Sequence, residues 1–231
     1  MKRLLWLLEA VVVIVLSFPL AVLPYRCALK AGGFLGLLLF YVWAGRRRIA
    51  IENIEKSVRS GALQVSEPAE KIARESFINL GKSLAEVVRI YYGFGDSLIH
   101  SVVIKGEEHY SEAKAKGKGI IIVTGHCGNW ELAALAFGVK VSPGWGVARA
   151  LDNPYINRMI GKIRSRYGNT VIYKKGALKA ILSCLKKKGV VSILMDQAVI
   201  RDEGFIINFL GRAAWTTRMP ALIARKTGAP V

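Results

Sequence analysis

His126 and Glu131 stand five residues apart in the stretch Gly125-His126-Cys127-Gly128-Asn129-Trp130-Glu131. An imidazole suits the removal of a hydroxyl proton near neutral pH, and a carboxylate beside it can orient the ring and stabilise its cation. On one continuous helix five residues would turn the second side chain about 140° away from the first. The pair can therefore cooperate only if His126 lies in a turn and Glu131 in the first turn of a helix. The spacing alone also fits a strand-end histidine followed by a glutamate that the helix dipole favours, with no chemistry attached.

The flanking residues supply the turn. Ile120-Ile121-Ile122-Val123, bounded by Gly119 and by Thr124-Gly125, reads as a short buried strand. Gly128 and Asn129 give a bend and an N-cap to a helix from Trp130 to Val139. His126 is thus placed at the carboxyl end of a strand, where α/β sheets bind ligands and where a helix N-terminus faces the crevice. Cys127, next to the histidine, is weighed separately as a nucleophile, although neighbours in sequence need not point the same way. Cys27, Cys127 and Cys184 lack metal-ligand spacing and are odd in number, which predicts reduced thiols in a cytosol-facing protein. His100 and His109 have no ligand-spaced partners, so no metal is expected and both read as surface residues.

Around this turn the chain alternates strand and helix. Gly146 to Ala150 reads as a strand, Asn153 to Tyr167 as a helix, Thr170 to Tyr173 as a strand and Gly176 to Lys187 as a helix. A strand from Val190 to Met195 then ends at Asp196-Gln197, and Phe205 to Phe209 and Thr216 to Lys226 read as a further strand and helix. The expected class is α/β, a largely parallel central sheet flanked by helices. Upstream, Glu107 to Lys116 reads as a short polar helix, and Ser66 to Tyr92 as an amphipathic one with Ile72, Phe77, Leu80, Leu84 and Val88 on one side.

The N-terminus differs in kind. Leu4 to Leu23 is apolar but for Glu9 and Pro19, follows Lys2-Arg3, and is long enough to span a bilayer. A signal peptide is the rival reading, but no A-x-A-like cleavage site follows. Gly32 to Trp43 is short for a span and is expected to lie in the interface or to pack on the protein. Arg46-Arg47-Arg48 reads either as a head-group contact or as a solvated basic turn. The expected organisation is a membrane anchor and interfacial segment over 1–48 and an α/β domain over 49–231; a new strand starts at Gly228-Ala229-Pro230-Val231, so the domain is expected to be either short or C-terminally incomplete.

With 34 Lys and Arg against 16 Asp and Glu, the 231-residue chain carries a formal charge of +18. That surplus predicts anionic partners. A hydrophobic content of 52% and a mean hydropathy of +0.33 favour a membrane surface over nucleic acid, for which no helix-turn-helix, zinc-finger or RNA-binding signature is present.

Five stretches in order, GHCGNWE (125–131), DNPYINRMI (152–160), IRSRYGNTVIYKKGALKAIL (163–182), LMDQ (194–197) and FLGRAAWTTRMPALIARKTGAP (209–230), resemble the bacterial lipid A biosynthesis acyltransferases of the lauroyl and myristoyl type. These fall within the wider lysophospholipid and glycerolipid acyltransferases. The resemblance implies an inner-membrane enzyme whose catalytic domain faces the cytoplasm. It would move an acyl chain from an acyl carrier protein or coenzyme A thioester to a hydroxyl of a membrane glycolipid, without a cofactor. It further implies His126 as general base with Glu131 as its acidic partner, Arg164 on phosphate or oxyanion, and Asp196 and Gln197 at a substrate-facing strand end. Arg149 is a weaker substrate-binding candidate at a third strand end. A solvated helix charge remains the plain reading of Arg164, and turn or capping residues that of the other three. Family members commonly carry an aromatic residue where this chain has Cys127, and their chains run longer at the C-terminus. Two rivals stay open: transfer to another acceptor (a lysophospholipid, phosphatidylinositol mannoside or aminolipid), and a basic membrane-binding protein without catalysis.

Overall fold

A computed structural model describes residues 2–174 and 176–231, so that Lys175 of the third stretch lies outside the described residues. In chain order the elements are α1 (Lys2–Val22), α2 (Tyr25–Val42), α3 (Ala44–Arg59), α4 (Ala69–Tyr91), α5 (Asp96–Ser101) and α6 (Glu107–Ala115). There follow β1 (Ile120–Thr124), α7 (Trp130–Lys140), β2 (Gly144–Ala148), α8 (Pro154–Arg164), β3 (Thr170–Tyr173), α9 (Ala177–Lys186) and β4 (Val190–Leu194). The chain closes with β5 (Gly204–Phe209), β6 (Arg212–Thr217) and α10 (Met219–Thr227).

These elements fall into two units, one made of the chain up to Leu16, Gly95–Gln197 and Thr217–Val231, the other of Ser17–Phe94 and Ala198–Thr216. Residues 48 and 49 lie inside a single helix, α3.

The first unit carries the expected parallel sheet, in strand order β1-β4-β2-β3. Right-handed crossovers require the helices of the outward-winding connections, α7 and α8, to cover one face. The returning connection puts α9 on the other, where α10 packs against it. Between sheet and helices lies a core of Ile121, Ile172, Ile181, Leu185, Val191, Ile193 and Ile223. Cys184 sits among them, and burial pushes its thiol pKa up, as befits an inert core residue. β1 is one edge of the sheet, and its Ile121 N–H donates to the Pro230 carbonyl at 2.9 Å. The opposite edge is β3.

The second unit is built on the pair α2 and α4. Gly32, Gly36 and Gly81 let the two backbones meet: a Cβ on Gly81 would lie 2.1 Å from the Gly32 carbonyl oxygen, and one on Gly36 2.2 Å from that of Phe77. Phe40 is fully buried there, edge-on to Phe77 at 5.5 Å. The apolar run from Gly32 to Val42 is thus part of an 18-residue helix packed on α4, and Trp43 follows as its C-cap residue. The Arg89 guanidinium donates to the carbonyls of Ala21 and Leu23, which satisfies the end of α1. β5 and β6 form a separate two-stranded sheet.

Several boundaries differ from expectation for local reasons. Arg46-Arg47-Arg48 lies in the first turns of α3, not in a turn, because Gly45 is tolerated at the helix start and no Pro falls between Ala44 and Arg59. The helix expected to reach Tyr167 stops at Arg164, since Tyr167 takes a left-handed φ of 65°. The helix expected from Thr216 starts at Met219, because Arg212–Thr217 pairs as β6. By length and composition α1 and α2 are both apolar enough to cross a membrane.

Candidate active site

β1 and β4 are neighbours, and their parallel register pairs Thr124 with Leu194. Two residues beyond that pair stand His126 and Asp196. Continuing the same register therefore brings the first residue of one turn level with that of the other. The Met195 N–H donates to the Thr124 carbonyl at 3.0 Å and holds the level as the strands end. Gly125 leaves the space this requires, because a Cβ there would lie 3.3 Å from the Asp196 carboxyl carbon.

The result is a two-point contact. Asp196 Oδ1 lies 2.8 Å from His126 Nδ1, and Asp196 Oδ2 accepts the His126 backbone N–H at 2.8 Å. An ionised carboxylate only accepts, so Nδ1 carries the proton and Nε2 presents its lone pair. Burial works to raise the pKa of the Asp196 carboxyl. The backbone and ring donors of His126 outweigh it and hold the group below the ordinary carboxylate range. Trp130, first residue of α7, stands edge-on to the imidazole at 4.9 Å and limits its rotation. Asn129 caps α7, its side-chain oxygen accepting from the Leu132 N–H at 3.0 Å. The side chains of His126 and Asp196 are 31% and 27% exposed, so both are reachable from solvent.

Glu131 occupies the first turn of α7 as expected, but it faces another partner. Its carboxylate receives Arg164 Nε at 3.1 and 3.0 Å and Arg164 Nη2 as well, a forked ion pair between α7 and the last turn of α8. The hydrogen bonds to Glu131 raise the Arg164 pKa against the opposing effect of burial. Two sequence expectations meet a different geometry here. The carboxylate that lies against the imidazole is that of Asp196, which was expected to face substrate. Arg164, expected on phosphate or oxyanion or else in solvent, is partly buried against Glu131. The five-residue spacing puts Glu131 on the helix while the ring turns toward the adjacent strand.

Gln197, next to Asp196, is exposed. Arg149 leaves β2 into solvent, its side chain 81% exposed and 3.7 Å from Asp152, and is not brought to the histidine. Cys127 is exposed. Among the described residues no three His, Cys, Asp or Glu side chains gather to hold a metal.

One further residue escaped sequence reasoning. Asn153 is buried and uses its whole amide. Its oxygen caps α8 through the N–H groups of Tyr155 (2.9 Å) and Ile156 (3.3 Å), and its nitrogen donates to the Trp6 carbonyl (2.8 Å) and the Glu9 carboxylate (2.9 Å) on α1. The signal was present as Asn153-Pro154, a cap followed by Pro at the first helical position, together with the lone acid in an apolar helix.

Residues 2–231 match the family model described as bacterial lipid A biosynthesis acyltransferase. The chain is similar to the lipid A biosynthesis lauroyltransferase of Escherichia coli strain K12, 29% identical over 210 residues that make up 90% of this chain and 66% of that protein. It is also similar to a lipid A biosynthesis acyltransferase of Haemophilus influenzae, 24% identical over 83% of this chain and 59% of that protein. The chain thus spans about three fifths to two thirds of the length of these relatives.

Proposed function

The chain belongs to the bacterial lipid A biosynthesis acyltransferase family, and from that premise we propose that it moves a fatty acyl chain from an acyl thioester to a hydroxyl of a lipid A precursor, with His126 as general base. The observation that carries this reading is the contact of His126 Nδ1 with Asp196 at 2.8 Å, which commits the ring to the tautomer whose Nε2 accepts a proton.

In this reading Nε2 takes the proton of the acceptor hydroxyl as its oxygen attacks the thioester carbonyl. The C–O bond forms, the C–S bond breaks, and the imidazolium returns its proton to the departing thiolate. Asp196 holds the ring and stabilises its cation at that moment. The N-terminus of α7, with its dipole and first-turn N–H groups, supports the carbonyl oxygen as it gains charge. Glu131 and Arg164 tie α7 to α8 and so fix that end. The apolar helices α1 and α2 and the net positive charge support work at the inner face of the bacterial inner membrane, where an anionic lipid surface and an acceptor glycolipid meet.

The test is acyl transfer from dodecanoyl thioester to a purified lipid A precursor by membranes bearing the parent or His126→Ala. Loss of about 10²–10⁴-fold in the variant is expected for removal of a general base. Equal rates in the two would refute His126 as base. Transfer to a lysophospholipid in place of the precursor would replace the acceptor. No transfer by the parent to any lipid leaves a binding protein.

A further inference from the structure

We infer that the face formed by α8 and the edge strand β3 docks an acidic carrier protein that delivers the acyl thioester; the inference rests on the acyl-transfer reading above. Between Asp152 and Asp196 the sequence holds ten Lys and Arg and no Asp or Glu. Within this segment α8 and the edge strand β3 hold Arg158 and Lys162 at one edge of the sheet, while Lys186 to Lys188 lie at the far end of α9. Between α8 and β3 runs an open groove lined by Arg158, Gly161, Lys162, Thr170, Val171 and Tyr173. Arg158 and Lys162, one helical turn apart, are exposed, and among the described residues neither has a carboxylate partner. Gly161 leaves the groove without a wall beside Tyr173, where a Cβ would lie 3.6 Å from the phenol oxygen.

Position connects the groove to the chemistry. Tyr173 ends β3 at the carboxyl edge from which His126 and Asp196 leave β1 and β4. β3 lies three strand spacings from β1, about 14–15 Å, a gap that a carrier's flexible arm must bridge. Asn157 donates to the Tyr173 phenol oxygen at 3.0 Å and accepts the Leu151 N–H at 2.9 Å, so the mouth of the groove is held by α8 itself. A bilayer is the weaker fit. Of the exposed large apolar residues only Tyr173 and Leu178 fall in this segment, whereas α1 and α2 are dense with them.

The experiment compares the parent, Arg158→Glu/Lys162→Glu, and Lys186→Glu/Lys187→Glu, which makes the same charge change at the far end of α9. Each protein is given a dodecanoyl thioester carried either on an acidic acyl carrier protein or on coenzyme A, and its affinity for the carrier is read by fluorescence anisotropy. Expected for Arg158→Glu/Lys162→Glu is a rise of tenfold or more in KM and Kd for the carrier, with its salt dependence flattened. Turnover of the coenzyme A thioester and the thermal midpoint should stay at parental values, and Lys186→Glu/Lys187→Glu should match the parent throughout. Unchanged carrier affinity in Arg158→Glu/Lys162→Glu overturns the docking face. So does an equal loss with both donors. A parent that turns over neither donor yet binds the carrier through Arg158 and Lys162 sinks the acyl-transfer reading alone; a parent that does not bind it sinks the docking face.

Discussion

At the residue scale the two carboxylates have different partners: Asp196 contacts the histidine and Glu131 contacts Arg164. Asp196→Asn tests the first. The amide would keep its oxygen on the His126 N–H and turn its NH₂ toward Nδ1, which favours the tautomer with the proton on Nε2. An expected fall of about 10²–10⁴-fold in kcat with little change in KM follows, read by steady-state kinetics. The sign of the pH effect is also set. A folded carboxyl held below its ordinary range contributes stability above the unfolded pKa of about 3.9, and that contribution is lost as pH falls through the depressed value. Thermal midpoints taken from pH 7 to pH 3 should therefore drop more steeply below about pH 4 in the parent than in Asp196→Asn. For the second carboxylate, Arg164→Lys removes the fork while keeping the charge, and should cost about 1–3 kcal/mol in denaturant unfolding. If Glu131 were the histidine's partner, Glu131→Gln would show the tautomer defect and Asp196→Asn would not.

At the element scale, what the sequence discloses depends on whether the signal is local. The strand at Ile120 to Val123, the Asn129 cap and the start of α7 at Trp130 are written in adjacent residues, and the structure has them there. His126 at a strand's carboxyl end follows from them. The order β1-β4-β2-β3 is not local, and without it nothing places residue 196 beside residue 126. The missed β6 has the same cause, since Arg212–Thr217 becomes a strand by pairing with β5. The glycines of α2 and α4 likewise look like weak helix positions until the helices meet. Gly81→Leu would drive a side chain into the Gly32 carbonyl, and should separate α2 from α4 at a cost of about 1–3 kcal/mol or more. A disulfide engineered between the two helices would form in the parent background and fail in the variant, as seen by gel mobility after mild oxidation.

At the scale of the whole molecule, the start of the chain, up to Leu16, is part of the unit that carries His126 and Asp196. α1 has 21 residues and a length of about 31 Å, enough to serve as a span, yet Glu9 within it would be costly in hydrocarbon. The structure supplies the reason for Glu9: it meets the buried Asn153, which also caps α8, the helix that carries Arg164 to Glu131. A plain anchor would gain from Glu9→Leu, because an apolar side chain partitions better into lipid. A structural clamp would lose, because the Asn153 amide would keep one acceptor and forfeit the other in a buried place. We expect Glu9→Leu to lower stability in detergent by about 1–2 kcal/mol and Asn153→Ala by about 1–3 kcal/mol, since the latter also removes a helix cap. Because both act through one contact, Glu9→Leu/Asn153→Ala should cost less than the sum of the two. Thermal unfolding of the four proteins in one detergent decides the matter, and additive losses would show that α1 and α8 are not coupled through this amide.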